Sequence, residues 1–152
     1  MLLKRKTLSG AQYVLPLLAM LALPACDDDP AEPPVTSEWE ATLVGVGAYA
    51  AVDGAAVVTA RSTRFTAEIE IEGAAANADF NWTLARGTCA SPGAAIGAAD
   101  RYPELEVAAN GTASAEALVT VALDEDEDYI VRVTDVNGSS TVAVACGALE
   151  VQ

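Results

Sequence analysis

The feature that most constrains the fold of this chain is a period of two in its hydrophobic residues. The stretch 65–72 alternates Phe, Ala, Ile and Ile with Thr and three glutamates, and the stretch around Trp39 alternates in the same way. Successive side chains of a β-strand point to opposite faces, so this period is typical of strands with one buried and one solvated face. The sequence therefore predicts an all-β fold.

Turn-forming residues separate the alternating segments. Asp53-Gly54 and Asn110-Gly111 are dipeptides common in tight turns, and Ser91-Pro92-Gly93 is a further break. Several short strands at this spacing favour a sandwich or a barrel. We expect eight strands, near residues 39–47, 52–61, 64–72, 78–85, 104–108, 115–123, 129–135 and 140–146.

Residues 1–25 have the organisation of a secretory signal peptide. A basic cluster from Lys4 to Lys6 precedes an apolar run from Tyr13 to Leu23, and small residues follow. The run is too short for a membrane-spanning helix, which needs about 20 apolar residues. A permanent transmembrane anchor is therefore the weaker interpretation.

The end of this segment, Leu23-Pro24-Ala25-Cys26, resembles the lipobox of bacterial lipoproteins, although Pro24 departs from the usual pattern. The resemblance implies cleavage before Cys26 and a lipid on that cysteine. The protein is then anchored to a membrane of the cell envelope, outside the cytoplasm, and the sequence leaves open whether this is the inner or the outer membrane. An ordinary secretory signal followed by a free cysteine is the alternative.

The remaining chain divides into a short tether and one domain. Residues 26–37 combine three aspartates with three prolines, a composition that favours an extended chain, and residues 38–152 carry the strand pattern. Three of the eight basic residues precede Cys26, so five arginines remain against 22 acidic residues, and the mature net charge is −17. Such a charge repels nucleic acid and anionic lipid headgroups, and neither is expected as a partner.

The three cysteines divide into Cys26, which has the predicted lipid, and a remaining pair. With Cys26 lipidated, Cys89 and Cys146 are left for each other, and a disulfide is the usual state of such a pair in an exported protein. A redox-active pair is the alternative, but the two cysteines lack the spacing of a Cys-x-x-Cys motif.

Three segments resemble the copper/zinc superoxide dismutase-like domains of bacteria and archaea. Residues 82–89, Trp-Thr-Leu-Ala-Arg-Gly-Thr-Cys, are similar to the family's Trp-His-Val-His-x-Gly-Thr-Cys segment. Residues 129–135 resemble its Tyr-x-Val-x-Val-His-Asp strand, and residues 144–149 its closing Ala-Cys-Gly motif. The resemblance covers about residues 40–151. It implies an eight-stranded Greek-key β-sandwich, or flattened barrel, and a bond between Cys89 and Cys146.

The departures from the family concern its metal site. Thr83, Ala85 and Thr134 occupy positions where the family carries metal-binding histidines, and the chain contains no histidine. Copper that cycles between two oxidation states depends on imidazole ligands in this family, and threonine and alanine do not replace them. The sequence therefore predicts vacated metal-site positions, no metal cofactor and no dismutase activity.

Two other features each have a functional and a structural interpretation. The acidic run 124–128 has the carboxylates to hold a divalent cation, but it lacks the glycine and distal glutamate of an EF-hand loop. A solvated turn between two strands is the favoured interpretation. Trp39 and Trp82 are candidates for an exposed binding patch, but core packing is more common for a tryptophan on a strand.

Two functional hypotheses follow. The first is a non-catalytic, membrane-anchored lipoprotein whose sandwich binds an unidentified protein or shapes the envelope. The second is an enzyme of the dismutase-like family that uses an unrecognised site. A Ser/His/Asp triad is impossible without histidine, and a fold alone does not grant activity, so the first hypothesis is favoured and no catalytic residue is assigned.

Overall fold

Strands account for nearly all the regular structure of the residues that the structure describes. The computed structural model describes residues 32–136 and 142–152. Within these two ranges there is no α-helix, and the only helical segments are two single 3₁₀ turns, Gly47–Tyr49 and Ala99–Arg101. The strands are β1 (Val35–Gly45), β2 (Asp53–Arg61), β3 (Phe65–Glu72), β4 (Asp79–Thr88), β5 (Ser91–Ala95), β6 (Leu105–Glu106), β7 (Ala113–Val119), β8 (Tyr129–Asp135), β9 (Ala143–Ala148) and β10 (Glu150–Val151).

The strands form one antiparallel sheet that is curled into a half-barrel. Its order is β5-β4-β8-β9-β1-β2-β3-β7, with β6 paired to β4 and β10 paired to β1. The prediction of an all-β fold is confirmed. The predicted signal peptide at 1–25, the lipidated Cys26 and residues 27–31 of the tether lie outside the described residues. In the part of the chain that the structure covers, no helix is long and apolar enough to cross a membrane.

The period of two places alternate side chains on the inner and the outer face of the sheet. On β3 the side chains of Phe65, Ala67, Ile69 and Ile71 are buried, and those between them point outward. Trp39 and Trp82 are only 2% and 1% exposed, so their prediction as core residues is confirmed. Burying a large apolar side chain contributes about 1.5–3 kcal/mol, and the half-barrel is held together mainly by this inner face.

The described residues form ten strands where the sequence predicts eight, and β5 and β10 are the additional ones. Two of the differences from the expected pattern have identifiable reasons. Ser91-Pro92-Gly93 predicts a turn, but it begins β5, which pairs with β4. Proline is tolerated there because β5 is at the edge of the sheet. The backbone N–H that proline lacks is therefore not needed for hydrogen bonds to a further strand. The first strand begins at Val35, inside the range assigned to the tether, where Glu32 forms ion pairs with Arg61 and Arg64.

Candidate functional site

The three positions where the resemblance predicts vacated metal ligands, Thr83, Ala85 and Thr134, lie on the outer face of β4 and β8. Trp82 and Leu84 of β4 belong to the core, so Thr83 and Ala85 point to the other side of the sheet. On β8 the core residue Val133 precedes Thr134, which therefore also points outward.

The strand register places these three positions at unequal separations. Thr83 is opposite Arg132, and Thr134 is opposite Asn81, so Thr83 and Thr134 are diagonal neighbours on adjacent strands. Diagonal neighbours have Cα atoms about 7–8 Å apart. Ala85 lies four positions along β4 from Asn81, which corresponds to about 13 Å. Ala85 is only two positions from Thr83, about 7 Å along β4, so Thr83 is close to both of the other positions, whereas Ala85 and Thr134 are far apart.

Arg132 occupies the centre of this face. It lies opposite Thr83 on β4 and opposite Cys146 on β9. Its side chain is half-buried, and its guanidinium carries a permanent positive charge. No local sequence motif marks Arg132, because its position opposite Thr83 depends on the register of β4 and β8.

Part of the same outer face is buried. Ala85 is 4% exposed and its partner Ile130 is fully buried, although both lie on the side of the sheet opposite the main core.

Cys89 and Cys146 form a disulfide with their Cα atoms 5.9 Å apart, so the predicted pairing is confirmed. The bridge joins the residue after β4 to β9, which are the two neighbours of β8.

The side chains of these three residues supply few metal ligands. Thr83 and Thr134 offer neutral hydroxyl oxygens, and Ala85 offers none. Across residues 32–136 and 142–152, no three His, Cys, Asp or Glu side chains are grouped so that they hold a metal ion. This face is therefore a half-buried surface with small polar groups around one arginine.

The acidic run 124–128 lies in the loop between β7 and β8. The backbone N–H of Asp126 donates to the Asp124 carboxylate at 3.1 Å, which forms a local turn. The backbone N–H of Asp124 donates to the hydroxyl of Tyr129 at 2.9 Å, and Glu125 accepts a hydrogen bond from Ser37. All five acidic side chains are exposed to solvent.

A second polar group of residues lies at one end of the half-barrel. The Tyr49 hydroxyl donates to Oδ2 of Asp135 at 2.6 Å, across 86 residues of chain. This hydrogen bond, together with burial and the negative charge of Asp135, raises the pKa of Tyr49 above its usual 10.0. The two residues line a cleft of about 540 Å³. No local motif in the sequence indicates this contact.

The comparisons with known proteins do not assign the chain to a family. No protein-family model matches it, and no curated protein is significantly similar to it. A proposal for its function therefore depends on the residues and the geometry described above.

Proposed function

We propose that the protein is a non-catalytic, lipid-anchored binding or structural module of the cell envelope, with a superoxide dismutase-like sandwich that has lost its metal site. The observation that carries this proposal is the composition of the outer face of β4 and β8. Thr83, Ala85 and Thr134 stand there in place of the three imidazoles, and the chain has no histidine to replace them. Copper redox chemistry of the family's kind has no ligands on such a face.

The strand order supports the finer assignment of a Greek-key sandwich or flattened barrel. β4 follows β3 in the chain but pairs with β8, and β8 and β9 lie between β4 and β1. Such non-sequential neighbours are typical of Greek-key topology. The disulfide supports the same assignment, because it joins the Gly-Thr-Cys and Ala-Cys-Gly segments through Cys89 and Cys146.

The surface chemistry supports a binding or structural role outside the cytoplasm. Arg132 lies opposite Thr83, and Ala85 is 4% exposed, so neither contributes a metal ligand to the proposed former site. The lipid on Cys26 attaches the domain to the membrane, and the acidic surface disfavours anionic partners. The expected partner is a protein or another component of the envelope.

A copper(II) titration tests this proposal on the full chain in nonionic detergent. The wild-type protein is expected to take up no stoichiometric copper. The triple variant Thr83→His, Ala85→His, Thr134→His is expected to bind about one copper ion with the paramagnetic resonance signature of nitrogen ligands. The single variant Thr134→His is the control, because one imidazole on the same face is too few for a tight site.

Two results would contradict the proposal. Stoichiometric copper in the wild-type protein would show that a metal site remains. A folded triple variant without copper binding would show that the three positions do not converge as the family resemblance implies. Because Ala85 is buried, the double variant Thr83→His, Thr134→His serves as a second test if the triple variant does not fold.

A further inference from the structure

The chain enters the domain beside the turn between β2 and β3. Strand β1 begins at Val35, four residues before its first buried side chain, Trp39. These early residues are held by pairing with the end of β2, where Val35 is opposite Arg61. Because β1 and β2 are antiparallel, the first residue of β1 lies at the end of the half-barrel where β2 ends and β3 begins.

Two arginines at this turn hold Glu32, three residues before β1. Nε of Arg61 lies 3.2 Å from Oε1 of Glu32, and Nη2 of Arg64 lies 2.9 Å from the same oxygen. The Arg61 guanidinium also donates to the carbonyl oxygen of Pro33. The backbone N–H of Arg61 donates to the carbonyl oxygen of Arg64 at 2.8 Å, which keeps the two arginines together. We call Glu32, Pro33, Arg61 and Arg64 the tether clamp.

The tether clamp is more than one exposed ion pair. A single pair at the surface contributes little, because solvent screens its charges and two long side chains lose freedom. In the clamp two guanidinium groups share one carboxylate, and the Arg61 side chain is only 19% exposed. Pro33 and Pro34 have restricted φ angles, so little freedom is lost when the chain between Glu32 and β1 is fixed. The clamp therefore extends the ordered domain back to Glu32.

The position of the clamp limits the distance between this end of the domain and the proposed anchor. Glu32 follows Cys26 by six residues, and six residues span at most about 22 Å. From the clamp, β1 runs away from the β2–β3 turn, and its 11 residues span about 35 Å. At the far end of β1 lie the turn Gly47–Tyr49 and the loop 73–78, which follows β3.

We propose that the tether clamp makes the β2–β3 turn the membrane-proximal end of the domain, and that the opposite end, Gly47–Tyr49 and 73–78, faces away from the lipid surface towards partners. This inference rests on the lipid anchor at Cys26 proposed above and adds an orientation to it. With the clamp broken, the first fixed residue is Val35. The limit then rises to about 32 Å, and the turn is less closely held to the membrane.

The orientation arises from the path of the chain and not from attraction to lipid headgroups. Ser37 donates a hydrogen bond to Glu125, so the acidic run 124–128 lies at the same end as the tether clamp. An anionic lipid surface repels this run. The orientation is therefore tested in a bilayer of neutral phosphatidylcholine, where the clamp and the length of the chain act without that repulsion.

The test measures the broadening of amide signals by a lipid with a nitroxide on its headgroup, in phosphatidylcholine nanodiscs that hold the lipid-anchored protein. We expect the signals of Ser62 and Thr63 in the β2–β3 turn to lose most of their intensity, because broadening falls steeply with distance. Those of Ala75 and Asn77 at the opposite end should keep theirs. Glu32→Ala removes the carboxylate that both arginines share, and it should reduce the broadening at Ser62 severalfold.

The matched control is Glu38→Ala, which makes the same change at an exposed position of β1 and leaves the tether clamp intact. It is expected to leave the broadening at Ser62 unchanged. Equal broadening at Ser62 and Ala75 in the wild-type protein would overturn the proposed orientation, and equal effects of the two variants would overturn the role of the clamp. Protein that does not enter the nanodiscs would contradict the lipid anchor itself, and this result is distinct from equal broadening in anchored protein.

Discussion

At the scale of single residues, hydrogen bonds satisfy the buried polar side-chain atoms of the described residues. In the described part of the chain no buried side-chain nitrogen or oxygen atom lacks a hydrogen-bond partner. Tyr102 shows how this is achieved: it is 7% exposed, its hydroxyl donates to the carbonyl oxygen of Ile96 at 2.7 Å, and its ring packs edge-on against Trp82. The Trp82 ring N–H in turn donates to the carbonyl oxygen of Pro103 at 2.8 Å.

The buried Tyr102 predicts a loss of stability in alkali. Burial raises its pKa to about 12, whereas a tyrosine in the unfolded chain ionises near 10. The unfolded state therefore releases a proton first, and the free energy of unfolding should fall as the pH rises from 10 to 12. Urea denaturation at a series of pH values measures this fall.

The variant Tyr102→Phe separates the contribution of this phenol from that of Tyr49, whose pKa is also raised. At pH 7 the variant should lose about 1 kcal/mol, because the carbonyl of Ile96 loses its hydrogen-bond donor. Between pH 10 and 12 its stability should fall less steeply than that of the wild-type protein. The same steepness in both proteins would contradict the assignment of the effect to Tyr102.

At the scale of strands, the outer face of β1, β2, β3, β7 and β10 carries eight exposed acidic residues, and the one basic residue of these strands is Arg61 at the end of β2. Three strand pairs place carboxylates directly opposite each other: Glu68 with Glu116, Glu40 with Glu150, and Asp53 with Glu72. Directly opposed like charges destabilise a sheet. The sheet tolerates this cost because the burial of apolar side chains on its inner face stabilises it by a much larger free energy. The acidic residues are Glu38, Glu40, Asp53, Glu68, Glu70, Glu72, Glu116 and Glu150.

Reversing one of these charges should stabilise the sheet. Glu116→Lys places an ammonium group opposite Glu68, and the free energy of unfolding should rise by about 0.5–1 kcal/mol at low salt. The gain should shrink as salt is added, because exposed charges are screened. Denaturation in urea, which is uncharged, measures the change.

Glu104→Lys is the matched control for this prediction. It makes the same chemical change on an exposed residue before β6, with no strand partner. If both variants gain the same stability, the effect comes from the net charge of the molecule and the opposed pair of glutamates contributes nothing specific.

At the scale of the whole molecule, the proposed anchor predicts where the protein is found in the cell. The change Cys26→Ser removes the only cysteine before the domain, so the protein should either leave the membrane fraction or remain uncleaved. Cell fractionation and the mass of the purified protein measure both outcomes. Cys89→Ser is the control, because it also removes a cysteine but leaves the proposed lipid attachment intact. Unchanged mass and membrane association in Cys26→Ser would contradict the lipoprotein assignment.

The sequence by itself determined the class of the fold and the side of the sheet on which most residues lie. A period of two is a local property, because each strand residue alternates regardless of its partner strand. The burial of Trp39 and Trp82, the outward direction of Thr83 and Thr134 and the positions of most strands follow from it. The pairing of Cys89 with Cys146 followed from counting cysteines and from the family resemblance.

The tertiary structure alone decided which strands are neighbours and which side chains meet. Strand β5 forms despite Pro92 and Gly93 because the edge of β4 is available for pairing, and this depends on the whole sheet. Arg132 comes to lie beside Thr83 only through the register of β4 and β8. Tyr49 meets Asp135 across 86 residues because the ends of β1 and β8 come together at one end of the half-barrel. Such contacts depend on strand order and register, which local sequence patterns do not encode.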